Sequence, residues 1–176
     1  KKNCKWTYKM RNKILSICIP TYNRIDCLNN CLNSILIAKK NFDFNFEVCV
    51  SDNGSQADVH SLVKKYNQDL DIVFNQNESN LGLGVNILKS VSLAKGEFVW
   101  ILGNDDLLLP DTFFHLNKLL KIDGDIDFFY INSFHLDSKV VLKPNQTFNT
   151  KELPKNMEKF SLYPKSFKTN FLNLVN

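Results

Sequence analysis

Two adjacent carboxylates, Asp105 and Asp106, end an apolar run and stand shortly before Pro110. Neighbouring like charges repel unless a cation or solvent compensates them, and hard carboxylate oxygens suit Mg²⁺ or Mn²⁺, which can bridge such a turn to a diphosphate. One unit charge pair about 4 Å apart is worth on the order of 4 kcal/mol at an effective dielectric of about 20. A divalent ion there would stabilise a departing diphosphate. Taken alone, the pair also reads as an acidic turn that caps the helix after it. Two further polar clusters follow apolar runs: Thr21, Tyr22 and Asn23 come after the run ended by Pro20, and Asp52 and Asn53 after Phe46–Val50. A carboxylate such as Asp52 can accept a hydrogen bond from a base N–H while Tyr22 covers the face of the base. Equally, Asp52 and Asn53 can do no more than shape a turn.

These residues need a scaffold that brings them together, and the apolar pattern describes one. Ile14 to Ile19 reads as a buried strand, followed by a helix with apolar positions at Ile25, Leu28, Cys31, Leu32 and Ile35, capped by Asn23 with Asp26 three residues on. Phe46 to Val50 is the second strand. Ser55 and Asp58 form a capping-box pattern for a helix to about Tyr66. A third strand covers Ile72 to Phe74. The polar loop Asn80 to Gly84 precedes a helix presenting Val85, Leu88, Val91 and Ala94, and Phe98 to Leu102 is the fourth strand. Pro110 opens a helix with Phe113, Leu116 and Leu120, and Ile126 to Ile131 is the fifth strand. Beyond Asn132 we expect an edge strand at Val140 to Leu142 and then an irregular segment. Alternating strands and helices build an α/β, mostly parallel sheet with helices on both faces, because parallel neighbours need crossovers. In such a sheet the strand C-termini lie side by side, so the three polar clusters converge on one crevice.

Composition excludes several classes. The chain has 176 residues, 44% hydrophobic, with 14 Phe and only 6 Gly and 5 Pro, so neither a disordered nor a collagen-like class fits. A net charge of +4 from 22 basic and 18 acidic residues gives mild attraction to anions. There is no dense basic patch with interleaved aromatics, so no nucleic acid is expected. The cysteines are Cys4, Cys18, Cys27, Cys31 and Cys49, two of them inside apolar runs, which suits reduced thiols in a cytoplasmic protein. Cys27 and Cys31 share a helix face, but no partner pair completes a zinc site. No apolar stretch approaches the roughly 20 residues of a membrane span. Gly82 and Gly84 begin a dinucleotide fingerprint, yet Ile87 stands at its third glycine, and no P-loop is present. What remains is an ordinary turn or a loop whose backbone approaches an anion at a helix N-terminus. His60, His115 and His135 have no nucleophile in an elbow motif beside them, which argues against a hydrolytic triad.

Together, LSICIPTYNR (Leu15 to Arg24), VSDNGS (Val50 to Ser55), NLGLGVN (Asn80 to Asn86) and LGNDDLLLP (Leu102 to Pro110) resemble the N-terminal GT-A domain of family-2 glycosyltransferases. The resemblance covers roughly residues 14–131. It implies that Pro20, Thr21, Tyr22 and Asp52 contact the nucleoside, that Asn80 and Gly82 line the nucleotide site, and that Asp105 binds the metal. Asn23, Asn53 and Asn104 join the nucleotide set, and Asp106 joins the metal set. The usual motif is Asp-x-Asp-Asp, but Gly103 stands at its first position and Asn104 at its middle one. That variant looks like those of transferases building bacterial surface polysaccharide, including abequosyltransferase-like enzymes.

The resemblance implies a basic leader over 1–13, a nucleotide-sugar-binding domain over 14–142, and the start of an acceptor-binding region over 143–176. The expected reaction transfers a sugar, with inversion, from a nucleotide diphosphate donor, UDP-linked, to a glycan or lipid-linked acceptor, assisted by Mg²⁺ or Mn²⁺. The expected setting is the cytoplasm, with peripheral association at the inner face of the membrane. In such enzymes the catalytic base is a carboxylate after the metal motif. Asp137, Glu152 and Glu158 follow it here, none in a matching motif, so the chain is expected to stop before the base. The alternative is a non-catalytic module that keeps the nucleotide pocket.

Overall fold

Short β-branched and apolar runs become the strands, and the segments between them become crossover helices. β1 (Leu15–Thr21), β2 (Phe46–Asp52), β3 (Ile72–Gln76) and β4 (Phe98–Ile101) form one parallel sheet in the order β3-β2-β1-β4. The computed structural model describes residues 13–121, 129, 131, 133–142, 146–152 and 157–159. α1 (Ile25–Asn41), α2 (Val59–Tyr66), α3 (Leu83–Ser92) and α4 (Thr112–Leu119) complete the α/β/α layers expected from the alternation.

The two faces of the sheet differ in chemistry. One carries Ile17, Ile19, Val48 and Val50, which pack with Leu28, Leu32 and Ile35 of α1, Val59 and Val63 of α2, and Phe113 and Leu116 of α4. Phe113 stacks on Phe44 and lies against Phe46, with ring centroids 5.5 and 4.5 Å apart. Burying a side chain of this kind contributes about 1.5–3 kcal/mol, so this apolar layer holds the sheet to its helices. The opposite face carries Ser16, Cys18, Glu47, Cys49 and Ser51, all buried, and packs against α3. There Glu47 accepts hydrogen bonds from the Ser16 hydroxyl and from the Lys95 N–H, each at 2.6 Å.

That polar face explains a departure from the helical periodicity. The expected apolar face of α3 is partly exposed at Val85 and Leu88, and the helix buries Asn86 and Ser90 instead. The sheet beneath it offers carbonyls and a hydroxyl that Asn86 pairs with and aliphatic carbon would leave unpaired, while Ser90 turns its hydroxyl back to the Ile87 carbonyl of its own helix.

Local corrections have similar causes. Asn23 does not cap α1: Arg24 holds the N-cap position without a side-chain bond, and Asn23 adopts φ 52° and bonds elsewhere. Ser55 does not cap α2, because its hydroxyl and N–H turn to Asp52, and Asp58 does so by accepting from Ser61 N at 2.9 Å. Val140 to Leu142 is no edge strand: α5 (Ser138–Val141) covers most of it. The leader expected over 1–13, the strand expected over 126–131 and most of 143–176 fall largely outside the described residues. Within the expected fifth strand, Phe129 packs edge-on against Phe98. β5 (Phe134–His135) and β6 (Glu158–Lys159) pair antiparallel. Among the described residues no helix is long and apolar enough to cross a membrane.

Candidate functional site

The C-terminal ends of β1, β2 and β4 meet at the top of the sheet. Thr21, the last residue of β1, is buried; its Oγ1 accepts from Asn104 Nδ2 at 2.8 Å, and its carbonyl accepts from Asn53 N at 2.9 Å. One residue thereby ties the turn after β4 to the end of β2. Asn23, in the left-handed region, donates its N–H to Ser55 Oγ at 2.8 Å and accepts from Gln56 N at 2.9 Å. The loops after β1 and β2 are thus locked together, and Tyr22 projects from them, exposed. Pro20 is half-buried just before.

Asp52 is fully buried. It accepts from Ser55 N at 3.2 Å, from the Ser55 hydroxyl, and from Gln76 Nε2 at 3.0 Å. The turn-shaping role open to it in the sequence is therefore realised. Of its three contacts, Gln76 is an exposed side chain that can move aside. Asn53 is also buried, but it is spent on the neighbouring loop: Nδ2 donates to Asn80 Oδ1 at 2.7 Å, and Oδ1 accepts from Leu81 N at 3.0 Å and Asn77 Nδ2 at 3.1 Å. Asn80 Oδ1 also accepts from Gly82 N at 2.9 Å. Gly82, at φ 84°, begins α3 in a conformation that favours glycine.

Underneath lies an amide hub that the sequence reading passed over. Asn86 Nδ2 donates to the carbonyls of Ser51 and Thr21 at 3.0 and 3.2 Å; its Oδ1 accepts from Ser51 Oγ at 2.8 Å and Asn77 Nδ2 at 3.1 Å. A polar residue inside a helix pattern looks solvent-facing in sequence. The only hint was that Asn86 ends the NLGLGVN motif.

The acidic turn is supported from α1. Ser34 Oγ accepts from Leu108 N at 2.9 Å, and Cys31 Sγ lies 3.8 Å from the Gly103 carbonyl. Asp106 accepts from Gly103 N at 3.1 Å. Loss of hydration raises the Asp106 carboxyl above the ordinary aspartate range; the Gly103 N–H opposes this and the adjacent Asp105 charge adds to it. A Cβ built on Gly103 would sit 2.8 Å from Asp106 Oδ2 and 2.9 Å from Asp105 Oδ1. Both carboxylates therefore fold over the space that glycine leaves open. Two hard oxygen donors converging there fit Mg²⁺ or Mn²⁺, which takes one or two carboxylates and completes its shell with water and phosphate. Among the described residues no group of three or more His, Cys, Asp or Glu could hold a metal by itself.

Arg24 was not singled out in the sequence, yet its Nη1 lies 2.8 Å from Asp105 Oδ2 across 81 residues of chain. Asp137 and Glu152 are occupied locally, accepting from Lys139 N at 2.9 Å and Asn149 Nδ2 at 3.0 Å. Asn29, Asn30 and Asn33 of α1 bind the segment around Thr147 and Phe148.

The family model described as glycosyl transferase family 2 matches residues 16–172. Abequosyltransferase RfbV of Salmonella typhimurium is 40% identical over 115 residues, 64% of this chain and 34% of that protein. The S. aureus TarS 1-349 structure in complex with UDP-GlcNAc is 30% identical, with a TM-score of 0.55, over 61% of this chain and 31% of that one. The mannosyltransferase PcManGT of Pyrobaculum calidifontis, in complex with GDP-Man and Mn²⁺, is 24% identical with a TM-score of 0.53, over 61% and 32% of the two chains, and supports the fold. The chain spans about a third of the length of RfbV and 44% of an uncharacterized glycosyltransferase, MJ1057, of Methanocaldococcus jannaschii.

Proposed function

Since the chain belongs to glycosyl transferase family 2, we propose that its strand-end crevice binds a nucleoside diphosphate sugar and takes part in moving that sugar to an acceptor hydroxyl. The observation that carries the reading is the convergence of Thr21, Asp52 and the Gly103 to Asp106 turn at adjacent strand ends, cross-tied by the 2.8 Å bond from Asn104 to Thr21. The fold is the GT-A fold of glycosyltransferases, and TarS, at 30% identity, has been solved with UDP and with UDP-GlcNAc. That likeness supports a uridine donor.

In this reading Tyr22 covers the base, and Asp52 accepts a base N–H as Gln76 gives way. Pro20 and Thr21 contact the nucleoside, and Asn104 holds Thr21 in place. Asn23, Asn53, Asn80 and Gly82 set the height of the loops around the nucleotide. Asp105 and Asp106 hold the divalent ion, Mg²⁺ or Mn²⁺, which when bound supplies positive charge to the leaving diphosphate. A single displacement inverts the anomeric carbon. Deprotonation of the acceptor requires a base. A glycan or lipid-linked acceptor, met at the inner face of a membrane, fits the likeness to an abequosyltransferase.

Calorimetric titration of UDP, GDP and CDP, with and without Mn²⁺, tests the reading. Metal-dependent binding of one nucleotide is expected, weakened about tenfold or more by Asp52→Asn and by Asp105→Ala, since hydrogen bonds to charged groups carry about 1.5–3 kcal/mol. A folded wild-type protein that binds none of the three would overturn it.

A further inference from the structure

Arg24 stands where its backbone is held and its side chain is exposed. Asn23 before it is pinned to Ser55 and Gln56, and α1 begins directly after it. The guanidinium reaches Asp105 Oδ2 at 2.8 Å, with both side chains more than half exposed, at 58% and 57%. An exposed ion pair of this kind is weak and readily exchanged. Asp105 is therefore shared between two claimants, the guanidinium and a divalent cation, both of which need its lone pairs.

The charges at the site make that sharing informative. Asp52, Asp105 and Asp106 bring three carboxylates to one sheet edge, and a diphosphate adds further negative charge. A divalent ion held by Asp105 and Asp106 would meet some of the phosphate oxygens, but the carboxylates and the diphosphate together carry more negative charge than it neutralises. A planar guanidinium with five N–H groups matches phosphate oxygens in a bidentate fashion. It is already at the turn where the diphosphate would meet the ion.

We propose that Arg24 is a diphosphate-binding residue that Asp105 holds in reserve: the cation takes over Asp105, and the released guanidinium moves to the phosphate oxygens of the donor. The inference rests on the nucleotide-sugar reading of the site. It makes metal and arginine competitors for Asp105 in the absence of nucleotide, and partners once the diphosphate is present.

The two relations predict opposite signs for one substitution. In Arg24→Gln, Mn²⁺ alone, followed by the loss of its free-ion EPR signal, should bind about twofold to fivefold tighter, the range that the loss of an exposed ion pair allows. UDP in the presence of Mn²⁺, followed by calorimetry, should bind about tenfold weaker, as expected for a lost hydrogen bond to a charged group. Uridine, which has no phosphate, should bind as it does to the wild type. A merely structural Arg24 would weaken all three together, and that result overturns the proposal. So does UDP affinity within twofold of the wild type, or weaker binding of Mn²⁺ alone. If the wild-type protein binds neither uridine nor UDP with Mn²⁺, the nucleotide-sugar reading fails and takes the proposal with it; wild-type binding that Arg24→Gln leaves unchanged removes the proposal alone.

Discussion

Replacing Asn86 by Leu keeps the branching and the heavy-atom count of the side chain while removing four hydrogen bonds. The lost partners are the carbonyls of Thr21 and Ser51, the Ser51 hydroxyl and the Asn77 amide. A buried hydrogen bond contributes about 0.5–1.5 kcal/mol net, which puts the four at about 2–6 kcal/mol. Three of the stranded groups keep a second partner: Thr21 O accepts from Asn53 N, Asn77 Nδ2 donates to Asn53, and Ser51 Oγ accepts from Asn75. The full cost of an orphaned group is therefore avoided at those places, and we expect a loss of about 3 kcal/mol, a large share of the roughly 5–15 kcal/mol of a typical domain. Urea unfolding followed by circular dichroism measures it as a lower midpoint at unchanged slope. A loss below about 1 kcal/mol would mean that the amide hub is a by-product of packing and does not fix the strand ends.

Three other outcomes follow from described geometry. Gly103→Ala places a methyl 2.8 Å from Asp106 Oδ2 and 2.9 Å from Asp105 Oδ1, so the carboxylates must turn away; Mn²⁺ binding should weaken by about tenfold or more, in the range seen when metal ligands lose their support, and unchanged Mn²⁺ affinity would sink the assignment of this turn. The Tyr66 hydroxyl is pushed up to about 12, first by burial and then by its electrostatic interaction with Cys31. A raised value means that the folded state favours the protonated phenol, so its contribution is complete below about pH 10 and is lost as pH rises towards 12. With one unit equal to about 1.4 kcal/mol, the loss approaches 2–3 kcal/mol, and Tyr66→Phe should flatten the alkaline limb of the stability profile. Asp58 is held below the ordinary aspartate range by the Ser61 hydroxyl and N–H, so its contribution exists above the unfolded value and disappears as pH falls through the folded one. Asp58→Ala should melt earlier at pH 7 and match the wild type in strong acid, and equal melting at pH 7 would remove it as the cap of α2.

The strands and α1 were legible because each is a run of residues with one requirement: β1 and β2 pack apolar side chains against α1, whose Leu28, Leu32 and Ile35 recur at helical spacing. The three polar clusters were legible because a parallel sheet aligns its strand ends. The contacts between clusters were not. Arg24 and Asp105 are distant in sequence, and nothing local in either marks the other. Asn86 was hidden for a different reason, since its burial depends on the polar face of a sheet formed by other segments. The caps failed where a side chain had a better offer: Asn23 and Ser55 match cap patterns, but each reaches a neighbouring loop that local sequence does not display.

The position of β1 inside the order β3-β2-β1-β4 also bears on how the protein is made. β1 is synthesised first, and one of its edges can be covered as soon as β2 emerges. Its other edge waits for β4, roughly 75 residues later, which at about 5–20 residues per second is several seconds of elongation. Through that interval Ser16 and Cys18 lie beside an open row of backbone donors and acceptors, a template for any passing strand. The acidic turn follows β4 directly, so the crevice forms only once β4 has docked, and a slow or diverted β4 would leave the loops after β1 and β2 with no acidic turn beside them.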